Sequence, residues 1–471
     1  MTTASASPDN RYTRGMADFV SGLRYESIPE DVRRRAQLLL LDGLGCALYA
    51  ADLPHARILI EALEAVDPCA TCGVWGTDRR LSAPHAALVN GTLVQGFELD
   101  DVHRHGVMHP ASVTLPAVFA VVETRPGLSG RDLLTAMVAG YEIGPRVGMC
   151  MGQEHIGQGW HSGATTGVFS AAAGAARALG LSPEQTVHAL GIAGTQASGL
   201  MAAQYGAMVK RLHAGRAAQS GFYGALLASA GFTGITDVLE SEYGGFCTTF
   251  SRSRDRFDLT ELTAGLGERW ETLRVSLKFY ACVASNHTTL DAIRALRARH
   301  PFAADDVERI VVHAARVTVD HAGWTYRPEG LTAAQLNLSF CVATLLLEDD
   351  VFVDQFTEEA VRDAGRMALA TKVEVREDPA ITARGSRFRH TVRVEVHLRD
   401  GTRLEETLEA ARGSEQHFAP EAEVVDKFTK LASHALSPRR VEALRDVVLD
   451  LPQLEDATTL ARLLVQVRSH H

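Results

Sequence analysis

Two neighbouring stretches decide the fold of the first half of the chain: GVFSAAAGAARALG at residues 167–180 and SPEQ at residues 182–185. The alanine-rich stretch predicts a buried helix that packs closely through small side chains. In the second stretch Ser182 suits the N-cap, Pro183 suits the first helical position, and Gln185 can accept a hydrogen bond from the N-cap amide. Together they predict a closely packed helical domain.

Helical signals extend to both ends of the chain. Ser27 with Glu30 three residues later predicts a capping box in front of a helix over residues 32–51. Near the other end, Ser437 and Pro438 form an N-cap pair. Two segments there have helical apolar spacing, and they cover residues 441–449 and 458–467.

The pattern changes from about residue 279 onward. Residues 308–320 are rich in Val and Ile, which predicts a strand, and Thr332 and Gln335 are predicted to cap a helix that follows it. A β-hairpin is predicted from three adjoining pieces: the alternating residues 391–398, the turn Asp400-Gly401, and residues 402–408.

The order of these segments predicts a mainly α fold with an α+β second domain. A large discontinuous helical domain would carry a smaller inserted α+β lid domain. We place the first part of the helical domain at residues 1–272, the lid at 273–408, and the returning helical segment at 409–471.

Charge and composition limit the possible partners. The formal net charge is 47 − 57 = −10, which disfavours binding to nucleic acid or to an anionic membrane. The start of the chain lacks an apolar signal region, and the longest apolar run is too short to span a bilayer. The sequence therefore predicts a cytoplasmic protein that meets any anionic substrate with a few concentrated cations.

The seven cysteines do not form a disulfide framework in so long a chain. Cys69 and Cys72 have the spacing of a zinc knuckle, but no second pair with ligand spacing follows them. A coincidence in a surface loop is the favoured interpretation, and a metal or redox role is the alternative.

The most unusual segment is ELDDVHRHGVMHP at residues 98–110, which combines three carboxylates with three imidazoles. A solvated loop is the plain alternative. The flanking segments look buried, however, and clustered carboxylates and histidines near a core shift one another's pKa values, which suits proton transfer.

Three further segments carry candidate groups. His161 lies in GQGWHSG at residues 157–163, and the alternative is a histidine that merely caps the following helix. The cluster KRLHAGR at residues 210–216 would bind an anion if it is partly buried, and the alternative is a basic face exposed to solvent. KFYAC at residues 278–282 lies at the proposed domain junction, where ligand clefts commonly form. The sequence contains no Walker loop, dinucleotide fingerprint or nucleophile elbow, so proton chemistry without a cofactor remains.

Taken in order, these segments resemble the MmgE/PrpD family, which includes 2-methylcitrate dehydratase, cis-aconitate decarboxylase and iminodisuccinate epimerase. The resemblance covers nearly the whole chain. It rests on residues 41–46, 87–91, 98–110, 191–195, 210–215 and 278–282. It implies a helical domain with an α+β lid, a site between them, no metal or organic cofactor, and a homodimer.

The resemblance also assigns residues. The family's acidic loop falls on Asp100 and Asp101, its histidines on His109 and His161, and its lysines on Lys210 and Lys278. We therefore take as catalytic His109, His161, Asp101, Lys210 and Lys278. We take as substrate-binding Glu98, Asp100, His103, Arg211, His213 and Tyr280.

Three positions depart from the decarboxylase-like pattern. Glu98 replaces an Asp, Val102 replaces a Thr, and Val283 replaces a His five residues after the second lysine. The loop is also one residue longer. These differences count against cis-aconitate decarboxylase.

The hypothesis from the sequence is a hydro-lyase similar to 2-methylcitrate dehydratase, acting on a small di- or tricarboxylate. Lys210, Arg211 and Lys278 would hold the charge that develops when a proton leaves carbon next to a carboxylate. His109 and His161 would act as acid and base. The alternatives are an epimerase of an amino- or imino-dicarboxylate, a decarboxylase of an aconitate-like acid, and a non-catalytic polycarboxylate-binding protein.

Overall fold

The structure, a computed structural model, describes residues 10–152, 154–205, 207–385 and 388–466. The first part of the chain is helical. Its helices are α1 (Arg11–Gly22), α2 (Glu30–Ala50), α3 (Pro54–Glu64), α4 (Ala83–Val94), α5 (Pro110–Thr124), α6 (Gly130–Met151), α7 (Glu154–Gly157), α8 (Ser162–Thr165), α9 (Gly167–Leu179), α10 (Pro183–Gly194), α11 (Val209–Ser229) and α12 (Phe246–Ser251).

Helix α9 lies at the centre of this domain and packs against α5, α6 and α11, as its small side chains predict. Helices α4 and α11 approach most closely at Gly91 and Gly215, where a Cβ on Gly91 would lie 2.7 Å from the Cα of Gly215. Because neither position tolerates a side chain, the second turn of α11 lies directly against α4.

The capping predictions have mixed outcomes. Ser182 caps α10, and Gln185 accepts from the amide of Ser182 at 3.1 Å, so that capping box is confirmed. The box at Ser27 is wrong, because the Ser27 hydroxyl turns back to donate to the carbonyl of Arg24 and α2 begins only after Pro29.

A mixed sheet organises the second domain. Its strands are β5 (Val307–Ala314), β6 (Val373–Glu377), β7 (Val392–Leu398) and β8 (Arg403–Leu408), in the order β6-β5-β7-β8. Strands β5 and β6 are parallel, and the other pairs are antiparallel. Two short antiparallel pairs precede it in the chain: β1 (Cys72–Gly73) with β2 (Arg80–Leu81), and β3 (Val102–His103) with β4 (Val275–Ser276).

Alternating burial along β7 confirms the predicted hairpin with β8. The strand predicted over 308–320 is only half right. After Ala314 the chain enters a helix in which Thr318 and Ala322, four residues apart, are buried, and this helical spacing overrides the β-branched composition.

Helices cover this sheet and connect its strands. They are α13 (Ala284–Arg299), α14 (Arg316–Ala322), α15 (Leu331–Leu336), α16 (Leu338–Glu348), α17 (Glu358–Val361), α18 (Ala364–Ala370) and α19 (Pro379–Ala383). The predicted cap of Thr332 with Gln335 is wrong, since Gly330 is the N-cap of α15 and the side chain of Gln335 bonds elsewhere.

The chain then returns to the helical domain. Helices α20 (Glu421–Ala432), α21 (Pro438–Leu449) and α22 (Thr458–Leu463) pack there, with α20 running along α2. Ser437 is the N-cap of α21, as predicted. The helix predicted over 458–467 ends at Leu463, and residue 467 lies outside the described residues.

The mainly α fold with a discontinuous helical domain and an inserted α+β domain is therefore confirmed. The core of the helical domain runs on to Phe279 and resumes at Ala419. We keep the boundaries at 272/273 and 408/409 as a proposal.

Within the described ranges, no single helix is both long and apolar enough to cross a bilayer. Taken together, α2 and α3 are long and apolar enough to cross a bilayer, but the two helices are bent by 82° at the break between them.

Candidate active site

A cavity of about 630 Å³ lies between the two domains. The helical domain and the segment leading to α13 contribute Glu98, Val102, Val107, His109, Ile156, Gly157, His161, Met201, Gln204, Lys210, Lys278 and Val283. The second domain contributes Ala284, Ser285, Ala315, Arg316, Val317, Asp320, His321, Leu336, Thr382, Gly385, Arg389 and His390.

The residues from the helical domain and from the segment leading to α13 form the first wall of the cavity. At this wall, Glu98 contacts three cationic side chains. Its buried carboxylate contacts the ammonium of Lys210 and the guanidinium of Arg211, and it lies 3.3 Å from Nζ of Lys278. Burial opposes its ionisation, but Lys210, Arg211 and Lys278 together hold the pKa of this carboxyl well below its ordinary value. The structure thus brings together four of the residues that the sequence selected.

The backbone at this wall is strained. Glu98 has φ = 59° and Val107 has φ = 49°, and both residues line the cavity. A left-handed conformation is costly for a β-branched residue such as Val107. This geometry turns the 98–110 loop so that Glu98 and His109 face the same space.

His109 is the N-cap residue of α5, and its ring is held from behind. Its Nδ1 donates to the backbone carbonyl of Asp101 at 2.7 Å and lies 3.3 Å from a carboxylate oxygen of Asp100. This arrangement leaves Nε2 as the ring nitrogen for the cavity. Asp100 is fully buried beside the ring.

Asp101 acts on His109 through its backbone and not through its side chain. One carboxylate oxygen accepts from the amide of Ala111 in α5, and the other accepts from the hydroxyl of Tyr141 at 2.8 Å. Burial, and then the charge of Asp100, raise the pKa of the Asp101 carboxyl well above its ordinary value. Asp101 therefore contributes to the position of the His109 ring through its backbone carbonyl.

His161 and Lys210 form the other half of this wall. Nδ1 of His161 lies 2.9 Å from Nδ1 of His213, so one ring donates to the other. Burial and then Lys210 lower the pKa of both imidazoles, which keeps them neutral near pH 7. Burial likewise lowers the pKa of Lys210, and Glu98 opposes that shift.

Two predicted substrate-binding residues point elsewhere, and these predictions are corrected on geometry. His103 is fully buried and pairs with Glu271 at 3.0 Å, while its Nδ1 accepts from the amide of Gly106. Tyr280 is buried and its hydroxyl donates to Asp291 at 2.5 Å. Neither side chain borders the cavity. Both were selected for residue type and proximity in sequence, which do not fix direction. Asp100, Arg211 and His213 do not border the cavity either, but each contacts a residue that does: His109, Glu98 and His161, respectively.

Residues from distant parts of the chain position the predicted ones, and sequence reasoning missed them. Strand β3 pairs with β4, which sets Lys278 beside the 98–110 loop. Gln335 donates to the carbonyls of Phe97 and Ala281, both at 3.0 Å. Lys427 in α20 donates to the carbonyl of Leu99 at 2.8 Å.

The residues from the second domain form the second wall of the cavity, and none of them was predicted from the sequence as a site residue. Its polar groups include Ser285, His321, Arg389 and His390. The segment RGSRFRH at residues 384–390 is as basic as KRLHAGR, so the same search for cation clusters would have found it. No short-range signal marks Ser285 or His321.

Among the described residues, no group of three or more His, Cys, Asp or Glu side chains has the arrangement to hold a metal ion. The fold and the site define a class: a two-domain protein whose interdomain cavity concentrates lysine, arginine and histidine in an acidic chain, as a small polyanion requires.

Comparison with known proteins gives the family. The model of the MmgE/PrpD N-terminal domain matches residues 14–258, and that of the MmgE/PrpD C-terminal domain matches residues 280–453. The chain belongs to the MmgE/PrpD family, as the order of its motifs indicates.

Relatives match over nearly the full length. The cis-aconitate decarboxylase-like protein oryM of Aspergillus oryzae is 36% identical over 98% of this chain and 99% of its own. The cis-aconitate decarboxylase of Aspergillus terreus is 34% identical over 98% and 97%. The 2-methylcitrate dehydratase of Escherichia coli is 24% identical over 93% and 94%.

Proposed function

We propose that this protein is a lyase acting on a small tricarboxylate, and that loss of CO2 from a cis-aconitate-like acid is its reaction. The observation that carries the proposal is the presence of cations and apolar side chains around one cavity. Lys210 and Lys278 border the same cavity as Val102, Val283 and Leu336. The cations would hold the retained carboxylates, and the apolar side chains would surround the departing one and favour neutral CO2.

The reaction would proceed by an allylic shift of electrons. The bond to the departing carboxylate breaks, and its electron pair forms a new carbon–carbon double bond. The electrons of the old double bond move to the carbon next to a retained carboxylate, whose charge Lys210 and Lys278 stabilise. Protonated His109, supported by Asp100, then delivers a proton to that carbon through Nε2.

The 34% identity with a relative named cis-aconitate decarboxylase, and the 36% identity with one named cis-aconitate decarboxylase-like protein, support decarboxylation over dehydration as the proposed reaction. The departure at Val283 means that the histidine of the decarboxylase-like pattern is absent from that position. His321 borders the cavity near Ser285, two residues along the chain from Val283. The imidazole of His321, in α14, is therefore available near the position where Val283 replaces the histidine.

Elimination of water from a 2-methylcitrate-like acid is the second candidate. The pair of imidazoles favours it, because neutral His161 can take the proton on carbon while protonated His109 assists the departing hydroxyl. Decarboxylation needs one of these proton transfers, and dehydration needs both.

Parallel reactions in deuterated water would separate the candidates. With cis-aconitate, we expect NMR to show an unsaturated dicarboxylate with one deuterium on carbon and one CO2 released per turnover. Loss of water from 2-methylcitrate without CO2 release from cis-aconitate would establish the second candidate instead. Deuterium uptake into an amino-dicarboxylate alone would indicate an epimerase, and binding without any reaction would indicate a binding protein.

We also propose that neither a metal nor an organic cofactor takes part, because Lys210, Arg211 and Lys278 already supply the positive charge that carboxylates need. Activity should be unchanged after dialysis against a chelator. A loss that added divalent metal restores would overturn this part of the proposal.

A further inference from the structure

Arg389 stands out on the second wall because its charge is not matched. It borders the cavity and is half-buried. Among the residues that the structure describes, it forms no ion pair with a carboxylate, and the charged group that acts on it is Arg104. Burial, and then repulsion from Arg104, lower the pKa of its guanidinium to about 10. An anion beside Arg389 would relieve both effects.

The backbone of Arg389 is hydrogen-bonded to α14. The hydroxyl of Thr318, in α14, donates to the backbone carbonyl of Arg389 at 3.0 Å, and Thr318 is fully buried. Helix α14 also carries His321, which lines the cavity together with His390. Burial lowers the pKa of His321 to about 4 and that of His390 well below its ordinary value, so both rings are neutral and can donate an N–H.

The charge on the first wall is too small for a tricarboxylate. The cluster of Lys210, Arg211 and Lys278 with Glu98 and Asp100 at this wall has a formal charge of 3 − 2 = +1, and a protonated His109 would raise it to +2. A tricarboxylate brings up to −3. A further positive charge at the cavity would balance such a ligand, and Arg389 borders the cavity from the second domain.

We propose that Arg389, assisted by His390 and His321, forms a second carboxylate-binding subsite that receives the central carboxylate of the ligand, the group that propane-1,3-dicarboxylate lacks. The subsite would make the cavity selective for tricarboxylates over dicarboxylates. The inference rests on the proposed function only in taking a small polycarboxylate as the ligand.

Arg316 offers a matched control. It borders the same cavity, but it is exposed and already pairs with Asp320 at 2.9 Å and with Glu377 at 3.4 Å. Replacing it therefore removes an arginine from the rim without removing unmatched positive charge.

Calorimetric titration with two unreactive saturated acids tests the subsite. The ligands are propane-1,2,3-tricarboxylate and propane-1,3-dicarboxylate, and the proteins are the wild type, Arg389→Gln, Arg389→Lys and Arg316→Gln. We expect Arg389→Gln to weaken the tricarboxylate at least about tenfold and the dicarboxylate less than about twofold, since a lost charge-assisted hydrogen bond costs this much. Arg389→Lys should be intermediate, and Arg316→Gln should change either Kd less than about twofold.

Equal weakening of both ligands in Arg389→Gln, or an equal effect of Arg316→Gln, would overturn the subsite, as would a wild type that binds neither acid. Thermal melts establish that each variant is folded. Binding needs no turnover, so a wild type that binds with this selectivity but converts nothing would refute the proposed function and leave the subsite standing. If Arg389→Gln lost turnover while both Kd values stayed unchanged, the subsite would be refuted and the proposed function would stand.

Discussion

Glu98 and Glu271 are two buried glutamates in similar ionic surroundings. Glu98 contacts Lys210, Arg211 and Lys278. Glu271 accepts from Arg269 at 2.7 Å and from Arg274 at 3.0 Å, and it pairs with His103 at 3.0 Å. Burial raises the pKa of each carboxyl, and the surrounding cations more than reverse that shift.

The difference lies in what surrounds each cluster. Glu98 borders the interdomain cavity, whereas Glu271 is enclosed by protein and anchors the segment before β4. A displaced pKa alone therefore does not mark a functional site in this molecule. The marker is a cluster of cations that a ligand can reach and whose charge the protein only partly neutralises.

The largest expected effect is that of Glu98→Gln on stability. Removal of this charge leaves three buried cations without their main partner, so the free energy of unfolding should fall by about 3 to 5 kcal/mol. Propane-1,2,3-tricarboxylate should raise the melting temperature of this variant more than that of the wild type, because the anion replaces the lost charge. Wild-type stability, or no greater response to the acid, would contradict this role.

Glu271→Gln should lower the free energy of unfolding by nearly as much as Glu98→Gln. Propane-1,2,3-tricarboxylate should not restore the stability of this variant. The pKa of Glu271 is lowered from 4.5 to about 2, so its ionisation contributes stability above pH 4.5 that is lost as pH falls toward 2. The contribution is on the order of 3 kcal/mol at neutral pH. Denaturant unfolding of wild type and variant between pH 3.5 and 7 should show a constant difference above about pH 5 that shrinks below it. A difference independent of pH would refute the assignment.

The smallest effects on stability are expected for substitutions of His103 and His109, two histidines of the 98–110 loop that the structure directs to different partners. His103→Asn should lower the free energy of unfolding by about 1 to 2 kcal/mol, because it weakens the bond to Glu271, and should leave turnover of the folded enzyme nearly unchanged. His109→Asn should leave stability within about 0.5 kcal/mol and reduce turnover at least roughly a hundredfold. Melting curves and initial rates measure both, and the reverse pattern would exchange the two roles.

Local signals were enough to predict part of the architecture. The Ser182 cap, the small-residue helix α9 and the hairpin β7–β8 depend on neighbours within a few residues, and all were found. The strand predicted over 308–320 failed after Ala314, because Val317 and Val319 favour a strand by composition while tertiary packing selects a helix.

The site was predictable where charges cluster along the chain, as in the 98–110 loop. The direction of each side chain was not, because it depends on partners far away in sequence: His103 turns toward Glu271, and Tyr280 toward Asp291. The basic segment of the second wall was visible in the sequence, but its place in the cavity was not, since only the tertiary fold brings Arg389 to the cavity that Lys210 borders.

The hydrogen bond from Lys427 to the carbonyl of Leu99 joins residues 328 positions apart. Lys427 also pairs with Asp42 at 2.6 Å. During synthesis on the ribosome, the loop around Leu99 emerges long before the helix that supports it. The 98–110 loop of the nascent chain therefore lacks this hydrogen bond until α20 has left the exit tunnel, and we expect a polypeptide arrested before residue 427 to be inactive.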